Sequence, residues 1–163
     1  MSITTADLYD AHAADVTVCD VQFRNFGRID SFAGQCSTVK VYDGAQTLRE
    51  ALEERGEERI LVVDGAGSLR FALLGDRMAE LAIRNGWAGA IIFGAVRDSH
   101  ALASLDFGVK ALGTTARRPP PDVSGVRDVP ITIGGATFHS GDWVYADADA
   151  VLVAGRRLHG SDI

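Results

Sequence analysis

Residues 75–98 read GDRMAELAIRNGWAGAIIFGAVRD, and the fold follows from how that stretch turns back on itself. Apolar Met78, Ala79, Leu81 and Ala82 are set against polar Arg77, Glu80, Arg84 and Asn85, which is helical spacing. Asp76 therefore opens a helix, and Gly86 supplies its C-terminal stop. The apolar run Ala88 to Phe93 has the length and composition of a buried strand, with Arg97 and Asp98 just past its end. A helix of about ten residues rises about 15 Å and the returning strand covers a similar length, so both ends meet at one rim. That rim would hold two carboxylates and one cation at a helix-to-strand switch point, where catalytic groups collect.

Upstream, Asp7 to His12 predicts a short opening helix with Thr4, Thr5 or Asp7 as cap, followed by an extended stretch to Phe26-Gly27. Ser37 to Tyr42 alternates as a strand. Thr47 to Arg55 places Leu48, Ala51 and Leu52 on one helical face and ends at Gly56, and Arg59 to Asp64 is a strongly apolar strand. Downstream, a short helix is expected around Asp98 to Leu105 and a strand over Phe107 to Gly113. The segment Arg117 to Val126, with three consecutive prolines, reads as an irregular exposed loop. After Pro130 the pattern is all strand: Ile131 to Ile133, a Gly134-Gly135 hairpin turn, Ala136 to His139, Trp143 to Asp147 and Ala150 to Val153. The expectation is one α/β domain over 1–154, its last third antiparallel, with a loose polar tail over 155–163.

The 163 residues, 47% hydrophobic and 23% charged, suit a single folded domain with a sizeable core. No stretch approaches the roughly 18 apolar residues of a membrane span, and the acidic N-terminus lacks signal-peptide character, so a cytoplasmic location is expected. Cys19 and Cys36 match no metal spacing and are read as reduced core thiols. A net charge of −6 argues against a direct nucleic-acid surface, which draws affinity from clustered Lys and Arg. It suits docking to a basic protein segment instead.

Asp98 is a hard oxygen donor, and a lone carboxylate completed by water and substrate oxygens is a common way to hold Mg²⁺. Arg97 offers a planar donor fork to a carboxylate or a developing enolate. With a divalent ion polarising a 2-oxo group, the pair would allow the C3–C4 bond of a 2-oxo acid to break, by retro-aldol cleavage or by decarboxylation. The free N–H groups of Gly75, Asp76, Arg77 and Met78 form a ready carboxylate site. Spacing alone leaves a second reading open, in which Asp76 caps its helix and Arg97-Asp98 is a surface ion pair. Gly65-Ala66-Gly67 after a strand hints at a dinucleotide or adenosylmethionine turn, but Arg70 stands where a third glycine belongs, and a tight turn is the simpler role. His12, His100, His139 and His159 are dispersed and form no zinc ligand pair; His100 is read either as an acid or base of the pocket or as an exposed helical residue.

The stretches DLYD, FAGQCSTVKVY, ILVVDGAGSLRFALLGDRMAELAIRNGWAGAIIFGAVRD, GVKALGT and GGATFHSGDWVYADADAVLV resemble the RraA-like family of class II aldolases. That family contains the regulator of ribonuclease E activity A and divalent-metal-dependent 4-hydroxy-4-methyl-2-oxoglutarate aldolases that also decarboxylate oxaloacetate. The resemblance implies a layered α/β/β sandwich of the swivelling phosphohistidine-domain type, assembled as a homotrimer with active sites between subunits. It assigns substrate binding to Gly75, Asp76, Arg77 and Met78, the pyruvyl contact to Arg97, and Mg²⁺ or Mn²⁺ to Asp98. Asp76 matches the acid of catalytic members, and Ala101 stands where regulatory members carry another acid, which places the chain with the enzymes. Arg28-Ile29, Gly44-Ala45, Val126 and Ala150 depart from the common family pattern, Val126 replacing a frequent glutamate.

Overall fold

The computed structural model describes residues 3–159. The elements run α1 (Thr5–His12), β1 (Val16–Cys19), β2 (Arg24–Asn25), β3 (Phe32–Lys40), α2 (Gln46–Glu53), β4 (Ile60–Asp64), β5 (Ala72–Leu74) and α3 (Asp76–Arg84). They continue with β6 (Gly89–Val96), α4 (Ser99–Leu102), β7 (Gly108–Thr114), β8 (Val126–Arg127), β9 (Ile131–Ile133), β10 (Ala136–Phe138), β11 (Trp143–Ala146) and β12 (Val151–Ala154).

One strand joins two sheets of different character. The first half of β3 pairs antiparallel with β11, Phe32 opposite Ala146 and Gln35 opposite Trp143. Its second half pairs parallel with β4, from Cys36 opposite Ile60 to Lys40 opposite Asp64. Beyond β4 the parallel order continues through β6 and β7, whereas beyond β11 the antiparallel order continues through β12 and β1. The result is a mixed α/β fold built on one large mixed sheet.

Strand β4 shows why the chain layers. Leu61 and Val63 point to a helix-side core with Leu48, Ala51 and Leu52 of α2 and Ala79 and Ala82 of α3. Ile60 and Val62 point the other way, to a core with Val144, Ala146, Val151, Val153 and the β9–β10 residues Ile131, Ile133 and Phe138. A strand covered on both faces has a continuous apolar run instead of an alternating one. Each such Val, Leu or Ile contributes about 1.5–3 kcal/mol of transfer free energy when fully buried. A third cluster lies outside the antiparallel layer, where Leu8 of α1 meets Tyr145, Leu152 and Leu158.

Several expectations change in detail. The strand expected at Ser37 to Tyr42 begins at Phe32 and ends at Lys40, and Ser37 and Thr38 are buried with their neighbours because β3 is sandwiched. Two short strands, β5 and β8, were not legible: each forms its ladder with a distant partner, β6 or β3. Of the three cap candidates for α1, Thr4 accepts the N–H of Asp7. Gly134 and Gly135 have φ of 54° and 77°, the left-handed conformation that the expected hairpin turn requires. Within the stretch read as a loose tail, Leu158 is buried and its N–H donates to the Tyr145 hydroxyl at 2.8 Å, because an apolar face of the antiparallel layer is there to receive it. Residues 160–163 of that tail lie outside the described residues. Among the described residues no helix is long and apolar enough to cross a membrane.

Candidate functional site

Parallel pairing brings the carboxyl ends of β6 and β7 to one edge, with Val96 opposite Thr114. Strand β5 lies on the other side of β6, and its Leu74 carbonyl accepts the N–H of Arg97 at 3.0 Å. Helix α3 starts immediately after β5, with extended Gly75 as its N-cap and no side chain capping it locally. The cap comes from elsewhere in the chain: the Asp76 N–H donates to Oδ2 of Asp98 at 3.1 Å. A carboxylate at a helix N-terminus satisfies an orphan donor and lies at the positive end of the helix dipole.

Asp98 adopts a left-handed backbone, φ 60° and ψ 40°, at the N-terminus of α4. Aspartate tolerates that region better than most residues, but it is sparsely populated and such conformations persist where the surroundings impose them. Gly75 makes the approach possible. A Cβ there would fall 2.7 Å from Asp98 Oδ2 and 3.3 Å from Cγ of Arg97. Arg97 Nε sits 4.0 Å from the same carboxylate oxygen, and its Nη1 reaches the Ala116 carbonyl at 3.5 Å. An open cleft of about 340 Å³, lined by Arg97, Asp98, Thr114, Thr115 and Ala116, lies beside them, large enough for a small metabolite.

The residues singled out in the sequence separate into two groups. Gly75, Asp76, Arg97 and Asp98 converge, so the helix-to-strand turn delivers the shared rim that its lengths predict. The Asp76 side chain does not cap α3. Its carboxylate is half-buried and makes no hydrogen bond among the described residues. Arg77 is exposed, and Met78, half-buried, packs its side chain against the helix-side core. His100 is exposed on α4. At 4.0 Å and part-exposed, the Arg97-Asp98 pair is a weak interaction on its own.

Thr114, Thr115 and Ala116 are cleft residues that the sequence did not single out. Their signal is strand order: had β7 been known to neighbour β6, the residues after both strands would have fallen on one edge. The Gly65-Ala66-Gly67 turn is internally satisfied, since Gly65 and Gly67 both donate to the Phe93 carbonyl and Asp64 accepts the N–H of Ala66. Those N–H groups are not free to cradle a phosphate. Among the family departures, Arg28 pairs with Asp106, Gly44 fits closely under Val123, and Val126 is exposed on β8 opposite Lys40, outside the cleft.

Elsewhere, buried Lys110 donates to Asn25 Oδ1 at 2.8 Å and borders a pocket of about 30 Å³, room for little more than a water. Burial lowers its pKa, opposed by Asp147 and Asp30. Cys36 and Cys19 are buried thiols donating to the His139 and Ile133 carbonyls. Burial raises both, Cys36 to about 12, which suits core residues and not nucleophiles.

No group of three or more His, Cys, Asp or Glu side chains among the described residues converges as a metal cage. A single hard carboxylate flanked by space that a Cβ at Gly75 would fill is nevertheless compatible with Mg²⁺ or Mn²⁺, which keep several waters and need few protein ligands.

Fold and cleft together define an α/β protein with a small polar site at the carboxyl ends of parallel strands. The model of the RraA-like family, described as Aldolase/RraA, matches residues 5–153, and the chain belongs to that family. It is 48% identical over 158 residues, covering 97% of this chain and 98% of the other, to a protein of Alkalilimnicola ehrlichii provisionally named a 4-hydroxy-4-methyl-2-oxoglutarate aldolase. Two solved structures superpose with TM-scores of 0.94. One is named an S-adenosylmethionine:2-dimethylmenaquinone methyltransferase, from Geobacillus kaustophilus; it is 42% identical, with 96% of this chain and 97% of that one covered. The other is the RNA-processing inhibitor RraA of Thermus thermophilis, 35% identical, with 99% and 98% covered.

Proposed function

We propose that the protein is a divalent-metal-dependent carbon–carbon lyase that releases pyruvate from 2-oxo acids, by retro-aldol cleavage of 4-hydroxy-4-methyl-2-oxoglutarate and by decarboxylation of oxaloacetate. The observation that carries this reading is the meeting of Arg97, Asp98 and the N-terminus of α3 beside one cleft. The relative named as an aldolase supports the substrate class.

Asp98 would hold Mg²⁺ or Mn²⁺, with water and substrate oxygens, or a neighbouring subunit, completing the ligand set. The ion, when bound, supplies Lewis-acid polarisation of the 2-oxo group. With the Asp76 N–H engaged by Asp98, the N–H groups of Arg77 and Met78 in the Gly75 to Met78 turn receive the substrate carboxylate. Arg97 places its donor fork where negative charge develops as the C3–C4 bond breaks and its electrons move into the carbonyl, giving the pyruvate enolate. In the aldol substrate the 4-hydroxyl proton must leave as that bond breaks, and C3 must then be protonated. Asp76, beside the turn, is the acid we assign to proton movement. We further read the layering as the swivelling phosphohistidine-domain type and the working form as a cytoplasmic homotrimer with sites completed between subunits. A light-scattering mass equal to one 17.3 kDa subunit would contradict the trimer.

The deciding assay couples pyruvate to lactate dehydrogenase, with oxaloacetate or 4-hydroxy-4-methyl-2-oxoglutarate and added Mg²⁺ or Mn²⁺. Metal-dependent release abolished by chelator is expected. No pyruvate above the metal-only background would end the lyase reading. A second reading, a regulator that binds and inhibits ribonuclease E, is favoured by the likeness to the Thermus inhibitor and by the net charge of −6. Salt-sensitive binding to ribonuclease E that survives Asp76→Ala and Asp98→Ala would support it; no binding at low salt would exclude it.

A further inference from the structure

Although the chain carries a net charge of −6, arginines gather on the wall that runs from the cleft along β5. The Ala116 carbonyl contacts the Arg97 guanidinium, and the next residue, Arg117, accepts the Ala72 N–H through its own carbonyl at 2.8 Å. This fixes the Arg117 backbone one residue from the cleft lining. The Arg117 guanidinium then lies 5.7 Å from the centroid of the Phe71 ring, and that of Arg70 lies 5.5 Å from the same ring. Two cations share one aromatic ring, and among the described residues neither has a carboxylate partner. Each gains from the ring quadrupole, and among the described residues no carboxylate stands within ion-pair distance to offset their mutual repulsion. An anion beside them would supply it.

We propose that Arg117, with Arg70 across Phe71, reads the distal carboxylate of a dicarboxylic 2-oxo acid whose 2-oxo end is held at Arg97 and Asp98. The inference rests on the reading of the cleft as a 2-oxo acid site and adds the residue that sets substrate charge. The geometry suits it. The Arg117 backbone stands next to the carbonyl that Arg97 touches, which puts the two arginines at neighbouring points of one wall. A charge-assisted, bidentate contact of this kind discriminates a carboxylate from a methyl group by about tenfold or more.

The test is calorimetric titration of the full chain, with Mg²⁺ present, using two acids that the lyase does not consume: 2-oxoglutarate, which has a distal carboxylate, and 2-oxobutyrate, which lacks one. Wild type should bind the diacid about tenfold more tightly. Arg117→Gln should bring the two affinities within about threefold of each other by weakening the diacid alone, while Arg118→Gln on the neighbouring exposed residue should keep the preference. Equal binding of both acids by wild type, or an unchanged preference in Arg117→Gln, overturns the role of Arg117 and leaves the 2-oxo acid reading intact. If wild type binds neither acid, the cleft is not a 2-oxo acid site and both readings fall together.

Discussion

Asp98 caps a helix that begins 22 residues before it: its Oδ2 accepts the Asp76 N–H at 3.1 Å. The same oxygen faces Arg97 Nε at 4.0 Å. One carboxylate thus caps the start of α3 and faces the head of the arginine, so a change at Asp98 alters the surroundings of both.

Asp98→Asn separates the two duties. The amide oxygen can still accept the Asp76 N–H, and asparagine tolerates the left-handed backbone, so the fold should survive with a stability loss of about 1 kcal/mol or less. The anionic charge that would hold a divalent ion is gone. Metal-dependent pyruvate release should fall by about 100-fold or more, read against wild type in the coupled assay with thermal unfolding as the control.

Gly75→Ala tests the close approach by sterics alone. The residue is extended, so alanine brings no backbone strain there, yet its Cβ would meet Asp98 Oδ2 at 2.7 Å. The carboxylate has to move by several tenths of an ångström. Activity should drop about tenfold or more while the unfolding midpoint in urea shifts only slightly; wild-type turnover in this variant would show that the Asp98 position is not critical.

Asp147 supplies the pH dependence of stability. Burial alone would raise its pKa, but the N–H and hydroxyl of Thr5 and the N–H groups of Asp149 and Ala150 all donate to the carboxylate, and the net shift is downward from about 3.8. The unfolded chain therefore binds the proton more readily than the folded one. The stabilisation is fully present above about pH 3.8 and disappears as pH falls through the lower folded-state value. Urea unfolding of wild type should weaken steeply below about pH 4, and Asp147→Asn should flatten that slope while costing about 1–3 kcal/mol at neutral pH.

Cys36 should be silent until the protein unfolds. Its thiol is 1% exposed and raised to about 12 by burial, so at pH 8 almost none is thiolate. An aromatic disulfide reagent should label both cysteines rapidly in denaturant and neither at a comparable rate in the native state; fast native labelling of Cys36 would contradict its place in the core.

The sequence by itself determined most of the elements and the two ends of the candidate site. Helical period from Asp76 and the apolar run ending before Arg97 are local properties, and both reappear as α3 and β6. The Gly134-Gly135 turn is equally local. Tertiary structure decided the rest, because it depends on partners far apart in the chain. Strand order set Thr114 to Ala116 beside Arg97, and β5 and β8 form their ladders with β6 and β3. The helix cap from Asp98, the downward shift of Asp147 by a helix start 142 residues away, and the packing of Leu158 on Tyr145 likewise need the assembled fold. Propensity acts within a few residues, whereas register, burial and the convergence of charges are fixed only when the layers close on one another.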